Sequence, residues 1–159
     1  LPGVGSAAAT MESLDASNLL RPLQHTVLVE KRPFLGICIG LQVLFEHSQE
    51  GDTVCFGWLK GRVEKFDETS IKVPQIGWNK VVFSDPNHPL VSGIENDYFY
   101  FVNSYYVIPH KEDIIFGSTD YGHNFCASII KENIFATQFH VEKSGAAGLT
   151  ILENFSKWN

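Results

Sequence analysis

Basic residues are scarce in this chain. Twelve Lys and Arg stand against 18 Asp and Glu, for a formal net charge of −6. No basic cluster breaks that balance, which argues against a nucleic-acid-binding surface. Cysteine occurs three times in 159 residues. An odd, small number makes no disulfide framework and predicts a reducing, cytoplasmic setting. No apolar run approaches the roughly 20 residues that a membrane-spanning helix needs. Metal-ligand spacing is also missing: His123 and Cys126 make half a site with no second pair, so neither a metal nor another cofactor is expected. There are no repeats, low-complexity tracts or linkers, and the length fits one domain with a core of its own.

What is present reads as alternating elements early and short strands later. Residues 7–17 have the Ala-rich propensity of a helix, and residues 18–24 predict a second, short one. The β-branched run 26–30 fits helix or strand. Residues 34–37 predict a buried strand and 40–46 the start of a helix. From residue 54 the pattern changes to short apolar runs between turns, over 61–66, 80–83, 98–102, 114–119, 126–130 and 134–139, which read as strands and hairpins. Residues 145–158 predict an amphipathic helix with Leu149, Leu152 and Phe155 on one face. Together these point to an α/β fold with a mixed sheet.

Two stretches carry chemistry. Gly36-Ile37-Cys38-Ile39-Gly40 has the form of a nucleophile elbow, with sulfur in place of a serine oxygen: a strand ends, the chain turns sharply and a helix starts. The glycines suit a crowded, strained turn, and a helix N-terminus favours a thiolate of lowered pKa. The second stretch is Gln138-Phe139-His140-Val141-Glu142. If the apolar run ending there is a strand, His140 and Glu142 emerge on one face, where a carboxylate can fix the tautomer of an imidazole. Cys55 and Cys126 lack such a turn and read as small buried hydrophobes. His25, His47, His88 and His110 sit in polar contexts and read as solvated surface.

These motifs, with Pro2-Gly3-Val4-Gly5, Pro74-Gln75-Ile76-Gly77-Trp78-Asn79 and Phe101-Val102-Asn103-Ser104-Tyr105-Tyr106, run the whole length of the chain. Their set resembles the class I, or triad, glutamine amidotransferases, and within them the branch serving as glutaminase subunits of imidazole glycerol phosphate synthase. Three positions depart from that pattern: Gln75 and Asn103, where the family usually has His, and Val141, where it has Pro. None is a catalytic group, but they leave open related subunits of surface-sugar pathways. A free-standing cysteine hydrolase of similar fold and a non-catalytic binding subunit are further alternatives.

The resemblance implies a flavodoxin-like three-layer sandwich with a mixed, mostly parallel sheet. It implies a single domain over 1–159 that lacks an N-terminal strand–helix–strand unit, since Leu1-Pro2-Gly3-Val4-Gly5 reads as a strand end running into a turn. It implies Cys38 as nucleophile, His140 as proton carrier and Glu142 as its orienter. Backbone N–H groups of Ile39 and of the Val4-Gly5 turn would hold the oxyanion, and Gln42, Glu50 and the backbone of Ser104 and Tyr105 would hold glutamine. Trp78, Asn79, Tyr100 and Lys143 would face a (β/α)8-barrel cyclase in a heterodimer that receives the ammonia.

Overall fold

The computed structural model describes residues 1–94 and 96–158. Helix α1 (Ala7–Ala16) starts after Ser6, whose side-chain oxygen accepts the Ala9 N–H at 3.2 Å and satisfies one of the otherwise unpaired first-turn donors. Helix α2 (Leu20–Gln24) runs straight into a π-helical turn, His25–Val29. The ambiguous run at 26–30 is therefore helical, and it buries Val27 under the sheet. Strand β1 (Phe34–Ile37) leads into a one-turn helix α3 (Ile39–Gln42). That helix starts one residue earlier and ends four earlier than the sequence pattern suggests.

Short strands follow: β2 (His47–Ser48), β3 (Thr53–Val54), β4 (Gly61–Lys65), β5 (Gln75–Lys80), β6 (Val82–Phe83), β7 (Tyr98–Asn103), β8 (Tyr105–Pro109), β9 (Ile115–Asp120), β10 (Asn124–Lys131) and β11 (Ile134–Thr137). Helix α4 (Gly145–Ser156) closes the chain. Nine strands form one sheet in the order β1-β11-β10-β8-β4-β2-β3, with β9 on β10 and β6 on β9; β5 and β7 pair separately.

The α/β class and the mixed sheet are as expected, but the parallel share is smaller than the resemblance implied. Among the described residues, only β1·β11 and β2·β4 pair in parallel. The remaining pairings are antiparallel. The reason is connection length. β9, β10 and β11 follow one another through tight turns, which join antiparallel neighbours, whereas parallel neighbours need a long crossover such as the one between β1 and β11.

Successive residues of β1 and β11, and of β10 on either side of a bulge between Cys126 and Ile129, point to opposite faces, and each face has its own core. Ile37, Phe125, Ala127 and Phe135 pack with Phe99, Phe101 and Phe139 and with Ala147 and Ile151 of α4. Phe34, Cys126, Ile129, Ile134 and Ala136 pack with Val27, Leu41, Leu44 and Phe45. Helix–sheet–helix layering follows from that alternation. In α4 the buried residues are Ala147, Gly148 and Ile151, and Leu152 and Phe155 pack against the core as expected, while Leu149 is turned out to solvent. Gly148 sets the rotation: a Cβ there would lie 1.8 Å from the Val141 carbonyl oxygen.

Candidate active site

Cys38 sits between β1 and α3 with φ 54° and ψ −105°. L-residues avoid this region, at a cost of about 1–3 kcal/mol. The surroundings hold it there. The Cys38 N–H donates to the Thr137 carbonyl at 2.7 Å, and the Cys38 carbonyl accepts from the N–H groups of Leu41 and Gln42 at 3.0 and 3.3 Å. The flanking glycines are there for space. A Cβ on Gly36 would lie 2.6 Å from the Gly40 carbonyl oxygen, and one on Gly40 would lie 1.9 Å from that of Leu1. Leu1 is locked in turn against β1, donating to Leu35 O at 2.6 Å and accepting from Ile37 N at 3.0 Å.

The thiol is not the ready thiolate that its turn suggests. Burial pushes the Cys38 thiol up to about 11 and outweighs the Ile39 N–H and the Gln138 amide, which favour the anion; Glu142 and Glu50 add repulsion. Helix α3 offers one turn and thus little dipole to counter this. The Cys38 Sγ–H donates instead to the Val102 carbonyl at 3.9 Å.

His140 lies after β11, in an extended conformation, as the N-cap of a 3-10 turn over Val141–Lys143. The pair with Glu142 is thus made by a turn, not by one face of a strand, because β11 has already ended at Thr137. His140 Nδ1–H donates to Glu142 Oε1 at 2.7 Å, a tautomer set by the acceptor-only carboxylate. Its Nε2 is buried and has no partner. The ring is anchored from behind: the His140 N–H donates to Tyr100 O at 2.9 Å, and the Ser144 hydroxyl donates to His140 O at 2.6 Å.

Cys38 and His140 line the same cavity, of about 180 Å³, with Val4, Gly5, Ile39, Gln42, Glu50, Val102, Asn103, Ser104, Tyr105 and Lys143. A thiol and an imidazole with an unpartnered nitrogen share one small compartment, and the carboxylate stands behind the imidazole. The family described as glutamine amidotransferase class-I matches residues 1–158. This chain belongs to that family. Among its curated relatives is the imidazole glycerol phosphate synthase subunit HisH of Thiobacillus denitrificans, 47% identical, with 99% of this chain and 72% of the relative aligned. The proteins of the same name from Hydrogenovibrio crunogenus and Acinetobacter baylyi are 46% and 44% identical, aligned over 99% of this chain and over 75% and 78% of their own length. A solved glutamine amidotransferase from Thermotoga maritima shares the fold with a TM-score of 0.63 at 16% identity, covering 99% of this chain. The PurLQS structure from Thermotoga maritima shares it with 0.64 at 14%, covering 83%. This chain spans 60% and 64% of those two solved chains.

Within this pocket, each substrate-side residue expected from sequence lines the wall, and each also has a structural partner: Gln42 bonds Tyr105 and Gln138, and the Ser104 carbonyl accepts the Phe66 N–H at 3.0 Å. Glu50 Oε2 accepts the Ala7 N–H at 2.8 Å, which ties the start of α1 to the pocket. The Tyr105 carbonyl accepts from both Gln42 Nε2 and Asn103 Nδ2, each at 3.1 Å, so both of its lone pairs are occupied. Of the four residues expected to face a partner, Lys143 lines the pocket itself. Trp78 and Asn79 line a separate cavity of about 340 Å³ with Gln75, Asp120 and Tyr121. Asn79 is held within the chain: its Nδ2 donates to Asp120 O at 2.7 Å and its Oδ1 accepts the Lys80 N–H at 2.8 Å. Trp78 is 56% exposed and meets Tyr100 edge-on at 5.8 Å. Among the described residues no group of three or more His, Cys, Asp or Glu side chains converges, His123 and Cys126 included.

Sequence reasoning passed over Gln138 and Ser144. Gln138 is fully buried and bonds toward both Gln42 and Cys38. The only signal was a polar residue at the end of an apolar strand.

Proposed function

We propose that this chain is the glutaminase subunit of an imidazole glycerol phosphate synthase in histidine biosynthesis. It hydrolyses glutamine to glutamate and ammonia and passes the ammonia to a (β/α)8-barrel cyclase subunit, in a cytoplasmic heterodimer. One observation carries the chemistry: Cys38, in a strained elbow, shares a compartment of about 180 Å³ with the free Nε2 of a carboxylate-bound His140. The names of the relatives supply the pathway.

In this reading His140 Nε2 takes the Sγ proton as sulfur attacks the side-chain amide carbon of glutamine. The tetrahedral oxyanion develops against the Ile39 N–H, which already points at Sγ, and against the Val4-Gly5 turn across the pocket. His140 then protonates the leaving ammonia, and the thioester forms on Cys38. Next it takes a proton from water, which attacks the thioester carbon, and returns it to sulfur as glutamate leaves. Glu142 keeps Nδ1 protonated throughout and stabilises the imidazolium. Gln42, Glu50 and the backbone of Ser104 and Tyr105 hold the amino-acid end of glutamine.

The paired strands β5 and β7 supply support for a partner. Ile76 faces Val102, Trp78 faces Tyr100 and Lys80 faces Tyr98. Ile76, Trp78 and Tyr98 are all at least half exposed, and Val102 continues into the pocket wall. An apolar face that ends at the nucleophile suits a subunit that takes ammonia directly. Two cores sharing one sheet favour a single amidotransferase domain. The three cysteines are all free thiols, consistent with a reducing compartment.

The test uses the full-length protein with and without a histidine-pathway cyclase. A glutamine-mimicking diazo ketone should label Cys38 and leave Cys55 and Cys126 untouched. Glutamate release should rise by orders of magnitude when the cyclase and its ligand are added, and Lys143→Ala should weaken that rise more than it weakens glutamine binding. Turnover that survives Cys38→Ser refutes the chemistry. A lone subunit that is fully active and indifferent to cyclase refutes the pathway.

A further inference from the structure

A chain of amide groups runs from the pocket wall to the nucleophile. Its polarity is set at one end. The Tyr105 backbone carbonyl can only accept, so Gln42 must turn its NH₂ toward it, at 3.1 Å. That same Nε2 lies 3.0 Å from the Gln138 side chain, which must therefore present its oxygen. The Gln138 amide is then left with its NH₂ facing Cys38 Sγ, at 3.6 Å. Amide orientations are normally a choice between two indistinguishable flips; here the carbonyl at the head of the chain decides both. Reversing either amide would place oxygen against oxygen or NH₂ against NH₂.

We infer that Gln138 is a positioning residue for the amidotransferase reaction, one whose amide, polarised through Gln42, donates to the Cys38 sulfur and favours its thiolate. Both donor hydrogens of Gln42 are used inward, on Tyr105 and Gln138, so its carbonyl oxygen is what it offers to a ligand in the pocket. An ammonium group donating to that oxygen polarises the Gln42 amide, and with it the Gln138 amide that faces sulfur. Glutamine bound at one end of the chain thus favours ionisation at the other. Gln138 is suited to this because it is wholly buried and its backbone is pinned, its N–H donating to Ala127 O at 2.8 Å.

Other groups bear on the sulfur as well. His140 and Lys143 line the same pocket from the turn after β11, Glu50 lines it from the turn after β2, and Glu142 stands behind His140. Burial, Glu142 and Glu50 work against the thiolate, while the Ile39 N–H works with Gln138. Gln138 differs from the others in being uncharged and fixed, so removing it changes one donor and no net charge.

The inference rests on Cys38 being the nucleophile, and its test needs no glutamine turnover. The thiolate of Cys38 is titrated by its ultraviolet absorbance in the full-length protein, as the difference from the matching Cys38→Ser protein. Alkylation by iodoacetamide is followed at the Cys38 peptide. Gln138→Met keeps the bulk and removes both polar ends. Its titration midpoint should rise by about one unit, with roughly tenfold slower alkylation at neutral pH. Gln138→Glu turns an acceptor toward sulfur and should raise the midpoint further. If Gln138→Met does not fold, Gln138→Glu carries the test, and Gln42→Met, which frees the far end of the Gln138 amide, should shift the midpoint in the same direction by less. A purely structural Gln138 would lower activity and leave the midpoint in place, and that result overturns the inference. Turnover that persists in Cys38→Ser would instead overturn the proposed chemistry.

Discussion

Glu142→Gln separates orientation from charge in the His140 pair. The contact is short, 2.7 Å, but uneven: the His140 side chain is 2% exposed and that of Glu142 is 43% exposed. A hydrogen bond to a charged group contributes roughly 1.5–3 kcal/mol when shielded, and a solvent-exposed ion pair about 0.2–1 kcal/mol. A half-exposed carboxylate belongs between them, at about 1–2 kcal/mol, or roughly five- to thirtyfold in rate. The amide of Glu142→Gln is free to turn its oxygen to Nδ1–H, because among the described residues no other group bonds the Glu142 side chain. The tautomer survives and only the charge is lost, so this variant should fall at the low end and Glu142→Ala at the high end. His140→Ala removes the proton carrier and should cost on the order of 10³-fold or more. Steady-state glutamate release by the assembled enzyme at saturating glutamine reads all three. A Glu142→Gln loss as large as that of His140→Ala would show that the carboxylate takes part in the proton transfers. An undiminished Glu142→Ala would show that the turn and Ser144 alone orient the ring.

Two further outcomes concern stability. Ala→Gly at a buried position usually costs about 1.5 kcal/mol, from lost backbone entropy and a lost methyl; at position 38 it relieves a φ of 54°. Cys38→Gly should therefore unfold in urea at the same midpoint as Cys38→Ala or above it, and a midpoint lower by the usual cost would mean that the elbow stores no strain. Burial raises the Cys126 thiol from 9.0 to about 12, so the folded chain holds that proton more tightly than the unfolded chain. The resulting stability is intact below pH 9 and drains away as pH climbs toward 12, by roughly 1.4 kcal/mol per unit. Cys126→Ala should flatten the alkaline limb of a stability–pH curve measured by urea melts, and a limb as steep as that of the parent would assign the loss to other groups.

The elbow was legible because crowding is a property of backbone, and backbone needs are written in residue type. Gly36 and Gly40 are the places where a Cβ would strike a carbonyl oxygen. The pairing of His140 with Glu142 was also anticipated, although for the wrong geometry: a spacing of two serves a strand face and a 3-10 turn alike. The relay through Gln138 was not legible. It joins Gln42, Tyr105 and Cys38 across separations of 63, 96 and 100 residues, and no local pattern reports which buried amide a fold will bring to a sulfur. Asn79 shows the reverse case. Its place in the motif suggested a partner, yet both ends of its amide close on its own chain.

The charge state of Cys38 is where local reasoning misleads most. A cysteine after a strand and before a helix predicts a stabilised thiolate, and the motif cannot say how long that helix is. Here it is four residues, and the space above it is walled by Val102, Asn103 and His140. With little dipole and little exposure, the neutral thiol is favoured and its proton rests against the Val102 carbonyl. The proposed nucleophile is thus held ready in shape while burial favours its neutral thiol. In the proposed reaction His140 Nε2 would take the proton as the bond forms. Under the proposed function, a resting thiol would turn over little glutamine that is not held in register with both His140 and the Gln42 end of the relay. Geometry supplied by substrate and partner would then decide when the sulfur acts.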